Sequence, residues 1–283
     1  MLRIWPEHVD VSLVSPADVS DPELLRRYRE LLSPGERTRL DRFRFAVHRH
    51  RYLVAHALVR TVLARATGMA PEALRFVCSA RGRPELVQPA GHPRVRFSLS
   101  HTEDLVVCAV LRAHDVGVDV ENACRALDTS ALAERFFAPA ERDELRALAG
   151  RDLDERFLAY WTLKEAYVKA RGLGLADTLA AVSFALTPAQ GLRVWFDARL
   201  DDSVADWQFL LLQPTPFHRA AVAVRRRAEA DLRLRVTRTV PLVGEEPIGC
   251  RVLALTTEPW CRATRRHGSP ARDNEGLHHD AAL

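Results

Sequence analysis

The chain has 283 residues, 47% apolar and 28% charged, with a formal net charge of +4. This composition excludes a disordered or fibrous protein and provides for one large domain or two moderate ones. The small basic excess comes largely from arginines at 225–227 and 262–272, and it suits an anionic ligand or an acidic partner without demanding either.

Five cysteines (Cys78, Cys108, Cys124, Cys250, Cys261) are odd in number and lack C-x-x-C spacing, which argues against a disulfide framework or a zinc site. The opening M-L-R-I-W-P-E-H-V-D has no apolar stretch of signal-peptide type. The longest apolar run, 105–111, is too short to cross a membrane, so a cytoplasmic protein is expected.

In chain order, 24–32 reads as a short helix. Ser33 then caps a long helical pattern, with Pro34 at its first position, that runs from about Glu36 to Ala66 and is closed by Gly68. Strands are expected at 74–78, 95–99 and 105–111, with the turn-rich S-A-R-G-R-P-E-L between the first two. A fourth, at 116–121, has clean period two, with Val116, Val118 and Val120 facing one way. Helices follow at 129–136, 139–149 and 153–171, the last ended by G-L-G at 172–174. Strands come next at 181–186, 192–197, 207–213 and 220–224. Helices followed by strands, twice over, predict an α/β (α+β) fold of two similar halves, 1–112 and 113–225, related by a pseudo-twofold with the active site at their interface. Residues 226–283, rich in Arg, Pro, Gly and His, read as an extension whose last twenty residues are disordered.

Thirty-nine arginines stand against only two lysines, and both lysines fall in W-T-L-K-E-A-Y-V-K-A at 161–170. On a helix Trp161, Glu165 and Lys169 recur every four residues and share a face, with Lys164 beside them. In V-G-V-D-V-E, Asp119 and Glu121 leave the same face of a strand. Three carboxylates from two elements can converge on a hard divalent cation such as magnesium, whose shell also admits substrate phosphates. Lysines can approach phosphate oxygens as compact charges. Each motif has a plain reading as well: D-x-E is an ordinary solvated strand face, and Glu165 with Lys169 an ordinary helical pair. Lysine usage favours the site, because a solvated pair works equally well with arginine.

The runs G-V-D-V-E, R-F-F-A-P-A-E and W-T-L-K-E-A-Y-V-K-A-R-G-L-G-L occur in that order. With F-S-L-S-H-T at 97–102 and G-R-P at 82–84 upstream, the chain resembles the surfactin-type 4′-phosphopantetheinyl transferases over about 22–224. The resemblance implies transfer of the phosphopantetheinyl arm of coenzyme A to a serine of an acyl or peptidyl carrier protein, releasing 3′,5′-ADP. A chain of two halves can build the site between them and be a monomer, and neither nucleic acid nor membrane is expected as a partner. Asp119, Glu121 and Glu165 would hold Mg2+ on the pyrophosphate, and Lys164 and Lys169 would contact phosphates. Ser100 and His101 would bind the pyrophosphate region, and Arg51 and Arg83 the 3′-phosphate and adenine end. Lys164 would stabilise charge on the leaving oxygen, while Glu165 or Glu141, directly or through a metal-bound water, takes the serine proton. A surface around 136–137 and 145–148 would receive the carrier.

Without the resemblance, His101 is equally a core-edge histidine, Arg83 a turn arginine and Glu141 a first-turn carboxylate complementing a helix dipole. The chain departs from the family at Arg83, where G-K-P is usual, and at Glu36 and Arg39, where lysines stand. Two other readings stand beside it: a magnesium-dependent pyrophosphate hydrolase acting on coenzyme A or a nucleotide, and a non-enzymatic nucleic-acid-binding module that would use the Arg-rich end, the long helix at 36–66 and the Arg clusters. The absence of stacking aromatics among the basic residues disfavours the second.

Overall fold

The computed structural model describes residues 8–91, 94–124, 128–172, 179–187, 191–226, 232–256 and 260–262. The first half contains β1 (His8–Val14), α1 (Pro22–Leu31), α2 (Pro34–Asp41), α3 (Ala46–Thr67), the hairpin β2 (Phe76–Cys78) and β3 (Pro84–Leu86), then β4 (Val95–His101) and β5 (Val106–Arg112). The second contains β6 (Asp115–Asn122), α4 (Thr129–Phe136), α5 (Pro139–Arg146), α6 (Gly150–Arg171), the hairpin β7 (Val182–Thr187) and β8 (Gly191–Phe196), then β9 (Trp207–Gln213) and β10 (His218–Arg225). Four further strands follow: β11 (Leu232–Val240), β12 (Gly244–Pro247), β13 (Arg251–Leu255) and β14 (Trp260–Arg262). Among the described residues no helix is long and apolar enough to cross a membrane.

The fold is mixed α/β, as expected. Alternation along the strands sets its layers. In β5, Val106, Cys108 and Val110 face α1 and α3, whereas Val107, Ala109 and Leu111 face the other way. The latter join Val9, Val11, Val116, Val118, Val120, Leu210 and Val222 in a core between two sheets. One sheet runs β12-β11-β1-β5-β4, with β14 also on β11, and the other runs β13-β9-β10-β6. The second is covered by α6, which packs Phe157, Leu163 and Tyr167 against Phe184, Trp207 and Phe209. The sheets adjoin along β4 and β6. There Ser98 Oγ accepts the Val118 N–H at 3.0 Å and Ser100 Oγ the Val120 N–H at 3.3 Å.

The helical pattern expected from Glu36 to Ala66 divides into α2 and α3. Ser33 and Glu36 form a reciprocal capping box, and the Glu36 carboxylate also receives His56 and the buried Arg60 of α3. The chain turns at 42–45 so that α2 folds back on α3. A tertiary ion pair thus overrides a run that contains no helix breaker.

The larger correction concerns the extension. Residues 232–240 form an interior strand, β11, parallel to β1 from His8 opposite Arg233 to Leu13 opposite Arg238. β13 adds to the second sheet alongside β9. The same segment therefore joins both sheets, and Leu232 and Val236 enter the intersheet core. The disorder expected of the last twenty residues, and Leu173-Gly174 of the G-L-G stop, lie outside the described residues.

Candidate active site

On β6 the face opposite Val116, Val118 and Val120 carries Gly117, Asp119 and Glu121. A Cβ on Gly117 would lie 2.5 Å from Ala170 N and nearer still to Ala166 O, so α6 rests directly on the strand here. Residues 162–164, 166–168 and 170 of α6 are buried, while Trp161, Glu165 and Lys169 form a partly exposed stripe. Lys169 Nζ donates to Asp119 Oδ1 at 2.6 Å and to Ser100 Oγ at 3.0 Å. Ser100 Oγ donates to the same Asp119 oxygen at 2.8 Å. One polar cluster is thereby drawn from β4, β6 and α6.

Burial first, then the neighbouring charges of Asp119 and Glu121, push the Glu165 carboxyl up to about 7 against the opposing pull of Lys169. Asp119 is only 4% exposed, and its Oδ2 is buried without a hydrogen-bond partner. An orphaned carboxylate oxygen beside a carboxyl crowded by like charge is a donor set that suits a hard divalent cation. As placed, no three His, Cys, Asp or Glu side chains among the described residues enclose a metal position; the Lys169 ammonium balances Asp119 instead.

A cleft of about 500 Å³ opens beside Glu121, lined by Arg51, His101, Thr102, Glu103, Asn122 and Cys124. Arg51 donates to the Thr102 carbonyl at 3.4 Å. Partial desolvation, and next the Arg51 guanidinium, hold His101 below the usual histidine range, so its ring offers one N–H at neutral pH. Arg83 has a different setting. Its guanidinium donates to Ala170 O at 2.6 Å and Val116 O at 3.3 Å, clamping the β2–β3 hairpin onto the end of α6 and the start of β6. Burial lowers its pKa. Two of the guanidinium N–H groups of Arg83 are thereby engaged by backbone carbonyls.

Lys164 and Glu141 are not in the cluster. The Lys164 ammonium, with no exposed side-chain surface, lies 2.7 Å from Glu141 Oε2 and 2.7 Å from Leu179 O; it also meets Val182 O and the face of Phe137. Glu141 accepts the N–H groups of Ala138 and Phe184, each at 2.9 Å. Burial presses the lysine down and the glutamate up, and their pairing resists both shifts. In this geometry Lys164 and Glu141 are buried against each other, on the core side of α6 rather than on the stripe that carries Glu165 and Lys169. The reason is helical: position 164 sits about 100° from 165 and about 140° from 169 around the axis, on the core side. Of the segments expected to receive a carrier, Phe137 and Leu145 are core residues, whereas Phe136, which packs edge-on against Trp161, and residues 146–148 keep exposed surface.

Sequence reasoning did not single out Gly117, although a glycine inside a valine-alternating strand signals close backbone approach. Nor did it find the serine bridges between β4 and β6, for which no sequence signal exists.

Residues 115–225 match the model of the 4′-phosphopantetheinyl transferase superfamily (ACPS), and residues 20–112 the N-terminal model of 4′-phosphopantetheinyl transferase. The chain is 37% identical over 193 residues to the 4′-phosphopantetheinyl transferase HetI of Nostoc sp., covering 68% of this chain and 78% of that one. It is 35% identical over 211 residues to a phosphopantetheinyl transferase of Thraustochytrium sp., covering 70% and 71%. To the transferase Sfp of Bacillus subtilis it is 29% identical over 160 residues, covering 56% and 69%. A holo-(acyl-carrier-protein) synthase from Bacillus anthracis superposes with a TM-score of 0.34 at 19% identity, over 41% of this chain and all of that one. The acidic cluster of Asp119 and Glu165 stands beside a polar cleft lined by Arg51 and His101. The chain belongs to the 4′-phosphopantetheinyl transferase superfamily, and its reaction is phosphopantetheinyl transfer from coenzyme A to a carrier protein.

Proposed function

We propose that this transferase is of the surfactin type and works as a monomer, with coenzyme A in the cleft lined by Arg51 and His101 and its pyrophosphate toward Asp119, Glu121 and Glu165. The observation that carries the reading is the acidic cluster itself: Glu165 raised to about 7 beside the partnerless Asp119 oxygen. These three carboxylates would hold Mg2+, which when bound supplies neutralisation of the pyrophosphate charge. Lys169, anchored between Asp119 and Ser100, provides a fixed ammonium at the same place. His101 donates its one N–H, and Arg51 its guanidinium, to phosphate oxygens. The carrier serine Oγ attacks the phosphorus that bears the pantetheine arm, the bond to the bridging oxygen breaks, and 3′,5′-ADP leaves. Of the two carboxylates nominated for the serine proton, Glu141 is sealed in the core. Glu165, on the partly exposed stripe of α6, is therefore assigned to accept it. Matches to both halves within one chain support the monomeric reading. The unpaired Cys78, Cys108, Cys124 and Cys250 support a reducing, cytoplasmic setting.

The test is intact mass spectrometry of an apo-carrier protein incubated with the enzyme, coenzyme A and Mg2+. Wild-type enzyme is expected to add one phosphopantetheine, chelation with EDTA to stop it, and Glu165→Gln to reduce the rate by roughly a thousandfold or more with an unchanged circular dichroism spectrum. Near-normal turnover by Glu165→Gln would remove Glu165 from the chemistry.

A further inference from the structure

The turn that carries His101 and Thr102 into the cleft is secured from the other half of the molecule. His218, at the start of β10, is only 4% exposed, and its Nε2 lies 3.0 Å from Asp104 Oδ1 and 3.3 Å from Thr102 Oγ1. Its Nδ1 is 2.7 Å from the Thr215 hydroxyl. An ionised aspartate only accepts, so Nε2 carries a hydrogen; with Nδ1 hydrogen-bonded to the Thr215 hydroxyl the ring is fixed at both nitrogens.

Asp104 in turn accepts the Thr102 hydroxyl at 2.8 Å and both of its oxygens face Asn122 Nδ2 at 3.4 Å. Asn122 is the β6 residue directly opposite His218 in the ladder. Thr102 Oγ1 also receives the N–H groups of Asp104 and Leu105. The two walls of the cleft, the 101–103 turn on one side and the end of β6 at 121–124 on the other, thus meet in one network whose buried centre is His218. His218 does not line the cleft itself.

We propose that His218 is a positioning residue for coenzyme A: through Asp104 and Thr102 it sets the separation between the His101 turn and the end of β6, and with it the fit of the phosphates. The proposal rests on the assignment of coenzyme A to this cleft. A loosened turn weakens binding of the nucleotide without altering the groups at the reacting phosphorus, so the effect belongs in KM for coenzyme A rather than in kcat.

The experiment measures steady-state transfer for His218→Phe, His218→Gln, Asp104→Asn and the His218→Phe/Asp104→Asn double variant, beside His101→Ala and Arg51→Ala. His218→Phe keeps the ring volume and is expected to raise KM for coenzyme A about tenfold. Its kcat at saturating coenzyme A and its KM for the carrier should stay within about twofold of wild type. Asp104→Asn, altering a half-exposed side chain, should act in the same direction. The double variant should be no worse than the stronger single one. His218→Gln, which retains an amide donor, should recover part of the loss. Fully additive effects, or equal damage to kcat and to the carrier KM, overturn the proposal. So does an unchanged KM in His218→Phe when His101→Ala raises it. If neither His101→Ala nor Arg51→Ala changes KM for coenzyme A, the cleft assignment falls, and the role of His218 falls with it.

Discussion

Replacing Gly117 by alanine tests how the acidic cluster is assembled. The added Cβ would stand 2.5 Å from Ala170 N and closer to Ala166 O, whereas real Cβ contacts do not come under 3.0 Å. Both obstacles are helix backbone, which cannot rotate aside as a side chain can. The helix must therefore back away from β6 by about 1 Å, at a cost of roughly 1–3 kcal/mol for overpacking a filled core. The same retreat lifts Glu165 and Lys169 off Asp119, now held by a 2.6 Å ammonium contact. Displacement of that size in a reacting constellation costs about a hundredfold in rate. Urea denaturation gives the first quantity and mass-detected carrier loading the second. A Gly117→Ala enzyme with wild-type stability and wild-type transfer would refute the claim that direct contact between α6 and β6 forms the site.

Lys164→Met should destabilise the protein by roughly 3–5 kcal/mol, because Glu141 is left as an uncompensated buried charge. The molecules that remain folded should still transfer, and loss of activity at unchanged stability would return Lys164 to the chemistry. Ser98→Ala strands the buried Val118 N–H and should cost about 1–3 kcal/mol by denaturant titration; a neutral result would mean that the junction of β4 and β6 does not depend on that hydroxyl. For Glu36, burial acts to raise the pKa but His56, the Ser33 N–H and Arg60 outweigh it and bring the group to about 2, from an ordinary 4.5. The folded-state value is the lower one, so the stabilisation is complete above about 4.5 and fades as pH falls toward 2. The melting temperatures of wild type and Glu36→Gln should converge over that interval, and a constant difference down to low pH would contradict the sign.

Much of the fold was legible from pattern alone. α4 and β9 fall on the residues expected, and β6 was readable because one face meets only the intersheet core. Where tertiary partners decided the outcome, pattern failed. Nothing in R-F-R-F at 42–45 signals a break, which arises from Glu36 meeting Arg60 on α3. β1 and β11 do alternate, as Val9, Val11 and Leu13 and as Leu232, Leu234 and Val236, but the arginines of L-R-L-R-V give β11 the character of solvated chain. Within the site, the period-two and period-four spacings led correctly to Asp119, Glu165 and Lys169 as neighbours. Scarcity of lysine proved an ambiguous guide. It marked one residue at the cluster and another, Lys164, that fills a slot under Phe137 between Glu141 and two carbonyls. Composition reports that a residue type is needed, while helical phase decides where it points.

The parallel neighbour of β1 lies 225 residues further along the chain, as the Ser12–Thr237 hydroxyl pair records. During synthesis β1 must wait, with one backbone edge unpaired, until more than two hundred residues have followed it. A chain cut off before residue 240 leaves that edge open to other chains, so such truncations should yield aggregates, not a smaller working enzyme.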